Sequence, residues 1–221
     1  GVRGQTLVEF VFPRLLTGYL RYMKTDLKNL SIKEMEYYLE KLGEKKFRAK
    51  QIFSWMYKGA AGFEEMTDLS KELRRKLDEN AEIEALRILK IQNSEKDGTR
   101  KYLFGLKDGN SIESVFMKYK FGNTVCISSQ AGCRMGCGFC ASAINGLQRN
   151  LTPGEMADQI ISIERDTGEK VGNIVVMGTG EPFDNYENLS GFIRNVHEKD
   201  GMNIGMRSIT VSTCGIPWTS C

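Results

Sequence analysis

No cysteine lies before Cys126, and of the six in the chain four, Cys126, Cys133, Cys137 and Cys140, crowd into one short segment. A disulfide framework spreads its half-cystines to staple distant loops, so this distribution argues against one and favours a metal site in a reducing compartment. Proline is scarce, 4 in 221 residues, and no repeat or low-complexity tract accompanies it, which argues against a disordered or fibrous chain. There is little excess of charge: a formal +3 is a weak lean toward polyanions that many proteins share, and it decides nothing about a partner. A long membrane-spanning run is also missing, because the apolar stretch at 7–20 is broken by Glu9, Pro13 and Arg14, and no small-residue cleavage site follows it. A cytoplasmic protein without a membrane partner is therefore expected. Met23 opens more conventional sequence, and 1–22 reads as an upstream or poorly ordered extension.

What is present is the composition of a folded α/β chain, 41% hydrophobic and 27% charged, long enough for one large domain or for a small one beside part of a larger one. In 23–90 the pattern is helical. Ser31 and Glu34 make a capping box, Ile32, Met35, Leu39 and Leu42 one apolar face, and Gly43 a stop. A second helix is predicted over 47–57 with Ile52, Trp55 and Met56 inward and Gly59 at its end, and a third carries Leu69, Leu73 and Leu77. Lys45, Lys46, Arg48, Lys50, Lys58, Arg74, Arg75 and Lys76 accompany these helices; they read either as an RNA-binding face or as an ordinary solvated one interleaved with acids. In 91–122, segments 101–107 and 111–117 flank an Asp108-Gly109 turn, and the alternation of Tyr102, Phe104 and Leu106 predicts a β-hairpin leading into the next region.

From 123 onward the rhythm is that of parallel βα units. Strands are predicted at 124–128, 173–177 and 208–212. Thr152, Pro153 and Glu155 open a helix with Met156, Ile160 and Ile163 inward; a second places Leu189, Phe192, Ile193 and Val196 on one side, as a crossover helix covering a sheet requires. Three strands cannot close a barrel. His197 falls one residue from that apolar face and carries no assigned role.

The chemistry-bearing signal is Cys133-x-x-x-Cys137-x-x-Cys140. Three thiolates within eight residues can wrap one compact centre, and three leave a metal position open where structural zinc or a ferredoxin cluster takes four. The alternatives are a zinc site completed by Cys126 or His197, and three unligated core cysteines.

With Phe139 before its last cysteine, the motif resembles that of the radical S-adenosylmethionine superfamily, and more narrowly the RlmN/Cfr rRNA methyltransferase family. The residues carrying the resemblance are Cys126-Ile-Ser-Ser-Gln-Ala-Gly-Cys133, Phe139-Cys140-Ala141-Ser142, Arg149-Asn150-Leu151-Thr152, Met177-Gly-Thr-Gly-Glu-Pro182 and Ser212-Thr213. Together they span about 25–216.

The resemblance implies an α/β fold: a partial radical-SAM (βα) barrel of parallel strands in 123–221, preceded by a small helical RNA-binding domain and a β-hairpin. It implies a [4Fe-4S] cluster on Cys133, Cys137 and Cys140 whose open iron chelates S-adenosylmethionine, with Phe139, Gly180, Glu181 and Ser212 as cofactor-binding residues. Glu181 would meet the cofactor's ammonium and Ser212 its ribose or carboxylate. In this family a methyl is first placed on a cysteine and then activated as a radical, because an adenine ring carbon is too weak a nucleophile to attack a sulfonium methyl. Cys126 matches the residue that removes the ring proton and resolves the adduct, and Glu113 the acid/base carboxylate. Without the family match, Gly-x-Gly-Glu-Pro reads as a turn and Glu113 as a solvent-facing strand residue.

The implied substrates are 23S rRNA and tRNA, methylated at adenine carbon 2, with an electron donor such as flavodoxin. Pro182 and the Arg149-Asn150-Leu151 run resemble this branch more than the sister carbon-8 activity. A non-catalytic, metal-bearing RNA-binding module is the alternative from another class. One departure matters: neither Cys214 nor Cys221 matches the family's methyl-carrying cysteine. Cys214 reads as structural, 217–221 as an unfamiliar ending, and the 221 residues are expected to bind a cluster without completing methyl transfer.

Overall fold

The computed structural model describes residues 24–216; the extension at 1–22, Met23, and the 217–221 segment with Cys221 lie outside the described residues. The first element, β1 (Thr25–Asp26), pairs in parallel with β2 (Ala81–Glu82) and brackets the helical part. Helix α1 (Ile32–Lys41) starts at the expected capping box, Glu34 N–H donating to Ser31 Oγ and Ser31 N–H to the Glu34 carboxylate at 2.8 Å. It ends against Gly43, whose φ of +75° suits a residue with no Cβ. Helix α2 (Arg48–Tyr57) buries Ile52, Phe53 and Met56; Trp55 is only half-buried, its indole N–H donating to Asp68 Oδ1 at 2.6 Å. Helix α3 (Lys71–Asn80) is capped by Ser70 and packs through Leu73 and Leu77. Of the basic residues on these helices, Lys46, Lys50, Arg74, Arg75 and Lys76 face carboxylates of Glu40, Asp200, Glu64, Glu79 and Glu44.

Beyond β2 runs a six-stranded sheet. Its strands are β3 (Arg87–Asn93), β4 (Arg100–Gly105), β5 (Ser111–Tyr119), β6 (Gly122–Ile127), β9 (Asn173–Val176) and β10 (Ile209–Val211), in the spatial order β10-β9-β6-β5-β4-β3. The intervening β7 (Gln130–Gly132) and β8 (Leu147–Asn150) form a separate two-stranded ribbon. The sheet is antiparallel from β3 to β6 and parallel across β6, β9 and β10, so the three parallel strands read from sequence are present. The predicted hairpin is β4–β5, and through the β5–β6 pairing it belongs to the same sheet as the parallel strands. Sequence reasoning missed β3. Its side chains are mostly exposed and a register shift between Ile88 and Lys90 breaks the period of two by which a strand is recognised.

Helix α4 (Pro153–Thr167) crosses between β8 and β9 and buries every residue from 154 to 163. It starts at the Thr152–Glu155 capping box, and its Gly154 N–H donates to Asn29 Oδ1 at 2.9 Å, so the segment after β1 docks on the helix start. A Cβ on Gly154 would stand 2.8 Å from that same oxygen. Lys28 reaches in beside it to pair with Asp158 of α4, both side chains buried, and also donates to Glu84 O at 2.6 Å. Helix α5 (Tyr186–His197) crosses between β9 and β10 with Leu189, Phe192 and Val196 inward. One continuous core runs from Leu27 and Met35 through Phe116 and Val125 to Val196 and Ile204.

Candidate functional site at the C-terminal edge of the parallel strands

Strand β6 delivers the chain into β7, and β8 returns it, so residues 133–146 form a lobe with its neck pinned by Cys133 N–H donating to Gly146 O at 3.2 Å. The neck requires glycine: Gly132 has φ +76°, and a Cβ there would lie 2.0 Å from Gly146 O. Within the lobe Cys140 N–H donates to Cys137 O at 3.0 Å. Cys133 is buried and Cys137 and Cys140 half-buried; the five described cysteines are free thiols. The Ser142 hydroxyl and backbone N–H hold the Cys140 thiol below its ordinary range, favouring the thiolate that ligates metal.

The donor set is three thiolates on one short lobe, the ligand type of iron clusters and of structural zinc alike. Among the described residues no three His, Cys, Asp or Glu side chains are gathered as ligands of a metal ion. Thiolates of a multi-iron cluster attach to separate corners. Neither proposed fourth zinc ligand joins the lobe: Cys126 faces the sheet cavity, and His197 is exposed with Nδ1 2.9 Å from Ile204 O.

Facing the lobe is the loop after β9. Gly178 N–H donates to Ile127 O at 3.0 Å, and a Cβ on Gly178 would come within 2.8 Å of that oxygen. Gly180 takes φ +108° and lies flush on Gln130. Glu181 is buried, and its carboxylate accepts from Phe183 N–H at 2.9 Å, Thr213 Oγ1 at 2.8 Å and Cys214 N–H at 2.8 Å. Burial pushes its carboxyl up, but those donors outweigh it and hold it below the usual range. The Cys214 thiol is a further hydrogen-bond partner of this carboxylate, so all of its about four acceptor positions have a donor at hand. Ser212, after β10, is exposed and bonds Val176 O through its backbone; the neighbour that meets Glu181 is Thr213. Cys214, read from sequence as a structural turn residue, is exposed beside Glu181, whose carboxylate pushes its thiol upward together with the nearby Cys137. Phe139, on the lobe between Cys137 and Cys140, is 96% exposed.

The sequence reading assigned no role to the polar residues that tie lobe and loop. Gln130, fully buried on β7, accepts from Glu181 N–H at 2.8 Å and donates to Asn150 Oδ1 at 2.8 Å and Asp184 Oδ2 at 3.0 Å. The other Asp184 oxygen pairs with Arg134. Asn185 donates to Ser129 O and Leu151 O, both at 2.8 Å. From the helix layer, Gln159 accepts from Ser114 Oγ at 2.7 Å, within β5, and from Ser128 N–H at 2.8 Å, just past the end of β6. Their one available signal was a glutamine or asparagine on a face otherwise apolar.

Glu113 and Cys126 occupy the other, open face of the sheet. Val115 pairs directly with Cys126 in register, so by alternation Glu113 shares that face and lies nearer the lobe; its carbonyl accepts from Ser128 Oγ at 2.7 Å. The Glu113 carboxylate is exposed and pairs with Lys101 at 2.7 Å. Cys126 is half-buried in a cavity of about 570 Å³ with Val115, Met117, Thr124, Val175 and Met177 on its walls. Burial pushes its thiol up, so it holds its proton at neutral pH.

Residues 25–83 match the family model described as the ribosomal RNA large subunit methyltransferase N-terminal domain, and 127–219 match that of the radical SAM superfamily. A protein of Lachnospira eligens described as "Probable dual-specificity RNA methyltransferase RlmN" is 56% identical over 193 residues, 87% of this chain and 55% of its own length. One of the same description from Desulforamulus reducens is 53% identical over 194 residues, again 87% and 55%. Among solved structures, a radical SAM methyltransferase from Sphaerobacter thermophilus aligns with a TM-score of 0.81 at 43% identity, over 87% of this chain and 57% of that one. The chain thus spans about half the length of the curated relatives it matches. No helix among the described residues is long and apolar enough to cross a membrane.

Proposed function

The chain belongs to the RlmN family of radical SAM methyltransferases, and from that premise we propose that its activity is methylation of adenine at carbon 2 in 23S rRNA and in tRNA. The family's cofactors are a [4Fe-4S] cluster and S-adenosylmethionine. The observation that carries the reading is the facing pair of loops: three cysteines on one, and the Gly180-Glu181 turn on the other, at the end of a parallel sheet where ligands bind. When bound, the cluster supplies the electron that cleaves the cofactor's sulfonium.

The chain's own residues do the rest by position. Cys133, Cys137 and Cys140 hold the cluster, and Gly180 lets the backbone come close to the cofactor. Glu181, its carboxylate kept ionised and fixed by Phe183 N–H, Thr213 Oγ1 and Cys214 N–H, would meet the cofactor's ammonium in place of the Cys214 thiol, and Ser212 supplies a hydroxyl at the adjacent strand end. Phe139 lies between two ligands in sequence, where its ring would pack on the bound cofactor. Cys126 and Glu113 share the open sheet face and serve as proton-handling groups toward the base; Cys126 must first lose the proton that burial keeps on it. RNA substrates, a flavodoxin-type electron donor and a cytoplasmic location belong to the same proposal.

Neither Cys214 nor Cys221 matches the family's methyl-carrying residue, so the 221 residues assayed by themselves are expected to bind cofactors without multiple turnover. The deciding experiment is anaerobic reconstitution followed by titration with S-adenosylmethionine. A reducible four-iron centre whose EPR signal shifts on addition of the cofactor is expected, lost when alanine replaces any of the three cysteines; a colourless zinc protein would instead favour the non-catalytic module. The carbon is read by mass spectrometry and NMR of digested rRNA methylated by a chain extended to the full length of the curated relatives, and methyl at carbon 8 would overturn the assignment to carbon 2.

A further inference from the structure

We propose that Gln130 is the positioning residue that sets the cofactor loop against the cluster lobe, an inference resting on the cofactor reading above. Its side chain is completely buried, and its amide is saturated: the oxygen accepts from Glu181 N–H, and the two N–H bonds point at Asn150 Oδ1 and Asp184 Oδ2. The amide cannot be turned over, because that would set an NH2 group against the Glu181 N–H and an oxygen against two acceptors. The fit is close on the other side as well, since a Cβ on Gly180 would stand 2.6 Å from Gln130 Cβ.

Glu181 is consequently held at two points from different elements. Its backbone is fixed by Gln130 of β7, three residues before Cys133, and its carboxylate by the turn after β10. Asp184 extends the tie to the far side of Cys133, because its other oxygen pairs with Arg134. The distance from cluster to cofactor carboxylate partner is thereby set by one buried amide. A buried donor or acceptor left without its partner is costly, so the loop would relax to satisfy itself and carry Glu181 out of register.

The test uses anaerobically reconstituted protein with three replacements: Gln130→Ala, Gln130→Glu, and Gln130→Glu combined with Asp184→Asn. Iron content and far-UV circular dichroism are read beside cofactor affinity from the EPR shift. Iron content should stay at the wild-type level in all three, while S-adenosylmethionine binds Gln130→Ala about 10- to 100-fold more weakly. Gln130→Glu should do at least as badly, since a carboxylate donates nothing and faces Asp184. The combined variant should recover most of the affinity, because the new asparagine amide donates to the new carboxylate, and a merely structural role would not produce that rescue. Unchanged affinity in Gln130→Ala, iron lost in parallel with affinity, or a combined variant no better than Gln130→Glu would each overturn the proposal. A wild-type protein that binds iron but shows no cofactor-dependent shift overturns instead the cofactor reading beneath it.

Discussion

Arg149 joins three segments through one guanidinium: it grips the Glu155 carboxylate with two bonds of 2.7 and 2.6 Å and reaches Asp108 in the β4–β5 turn. The hydrogen bond from Arg149 holds the Asp108 carboxyl down at about 2. Its folded value is depressed, so the tie contributes fully above the ordinary carboxylate range and is lost as pH falls from about 4 to about 2. A carbon-13 NMR titration should show Asp108 with a midpoint near 2, and Arg149→Met should return it to about 4; an unmoved midpoint would mean that the pair does not form in solution. Cys126 shifts the opposite way. Its alkylation by iodoacetamide should reach half its maximal rate at a pH above that of an unstructured thiol, and should rise when Met177→Ala opens the cavity wall. Gly132 is the strictest position: Gly132→Ala sets a methyl 2.0 Å from the Gly146 carbonyl oxygen at a φ of +76°, and iron retained after reconstitution should fall well below wild type. The cysteine spacing was readable from the sequence because ligands close in sequence must be close in space. Gln130 had no such signature, since its partners at Asn150, Glu181 and Asp184 are distant along the chain.

At the scale of elements, helices were the most legible, because capping and period are local. The Ser31–Glu34 and Thr152–Glu155 boxes start α1 and α4 where the sequence places them. For α4 the local cap is only part of the start, since Asn29 takes the Gly154 N–H from another segment. Thr152→Ala should cost about 1 kcal/mol in urea denaturation. Asn29→Ala should cost a comparable amount, although no helix-propensity argument would assign Asn29 to α4 at all; a change of a few tenths would show that water replaces its oxygen. Strands were less legible. The hairpin strands β4 and β5 alternate and were found, whereas β3, bulged and largely exposed, was not.

For the molecule as a whole, the Lys28–Asp158 pair is the joint between the helical part and the sheet. Both charges are buried, and Asp158 also accepts from Leu86 N–H at 2.6 Å and Ser162 Oγ at 3.2 Å. Lys28→Met leaves a buried carboxylate without its cation and should lower stability by about 3–5 kcal/mol. Because the core is continuous across the joint, helical and sheet signals should still be lost together; two separated transitions would show that the parts unfold independently.

The helices with their caps, the parallel βα rhythm, the hairpin turn and the three-cysteine lobe could be read along the chain, because each is encoded by residues a few positions apart. That the hairpin extends the parallel sheet, that Thr213 and Cys214 reach Glu181, and that one buried glutamine ties lobe to loop emerged with the folded chain. Those facts depend on which distant backbone and side-chain groups satisfy one another once water is excluded, and a linear string does not record that pairing.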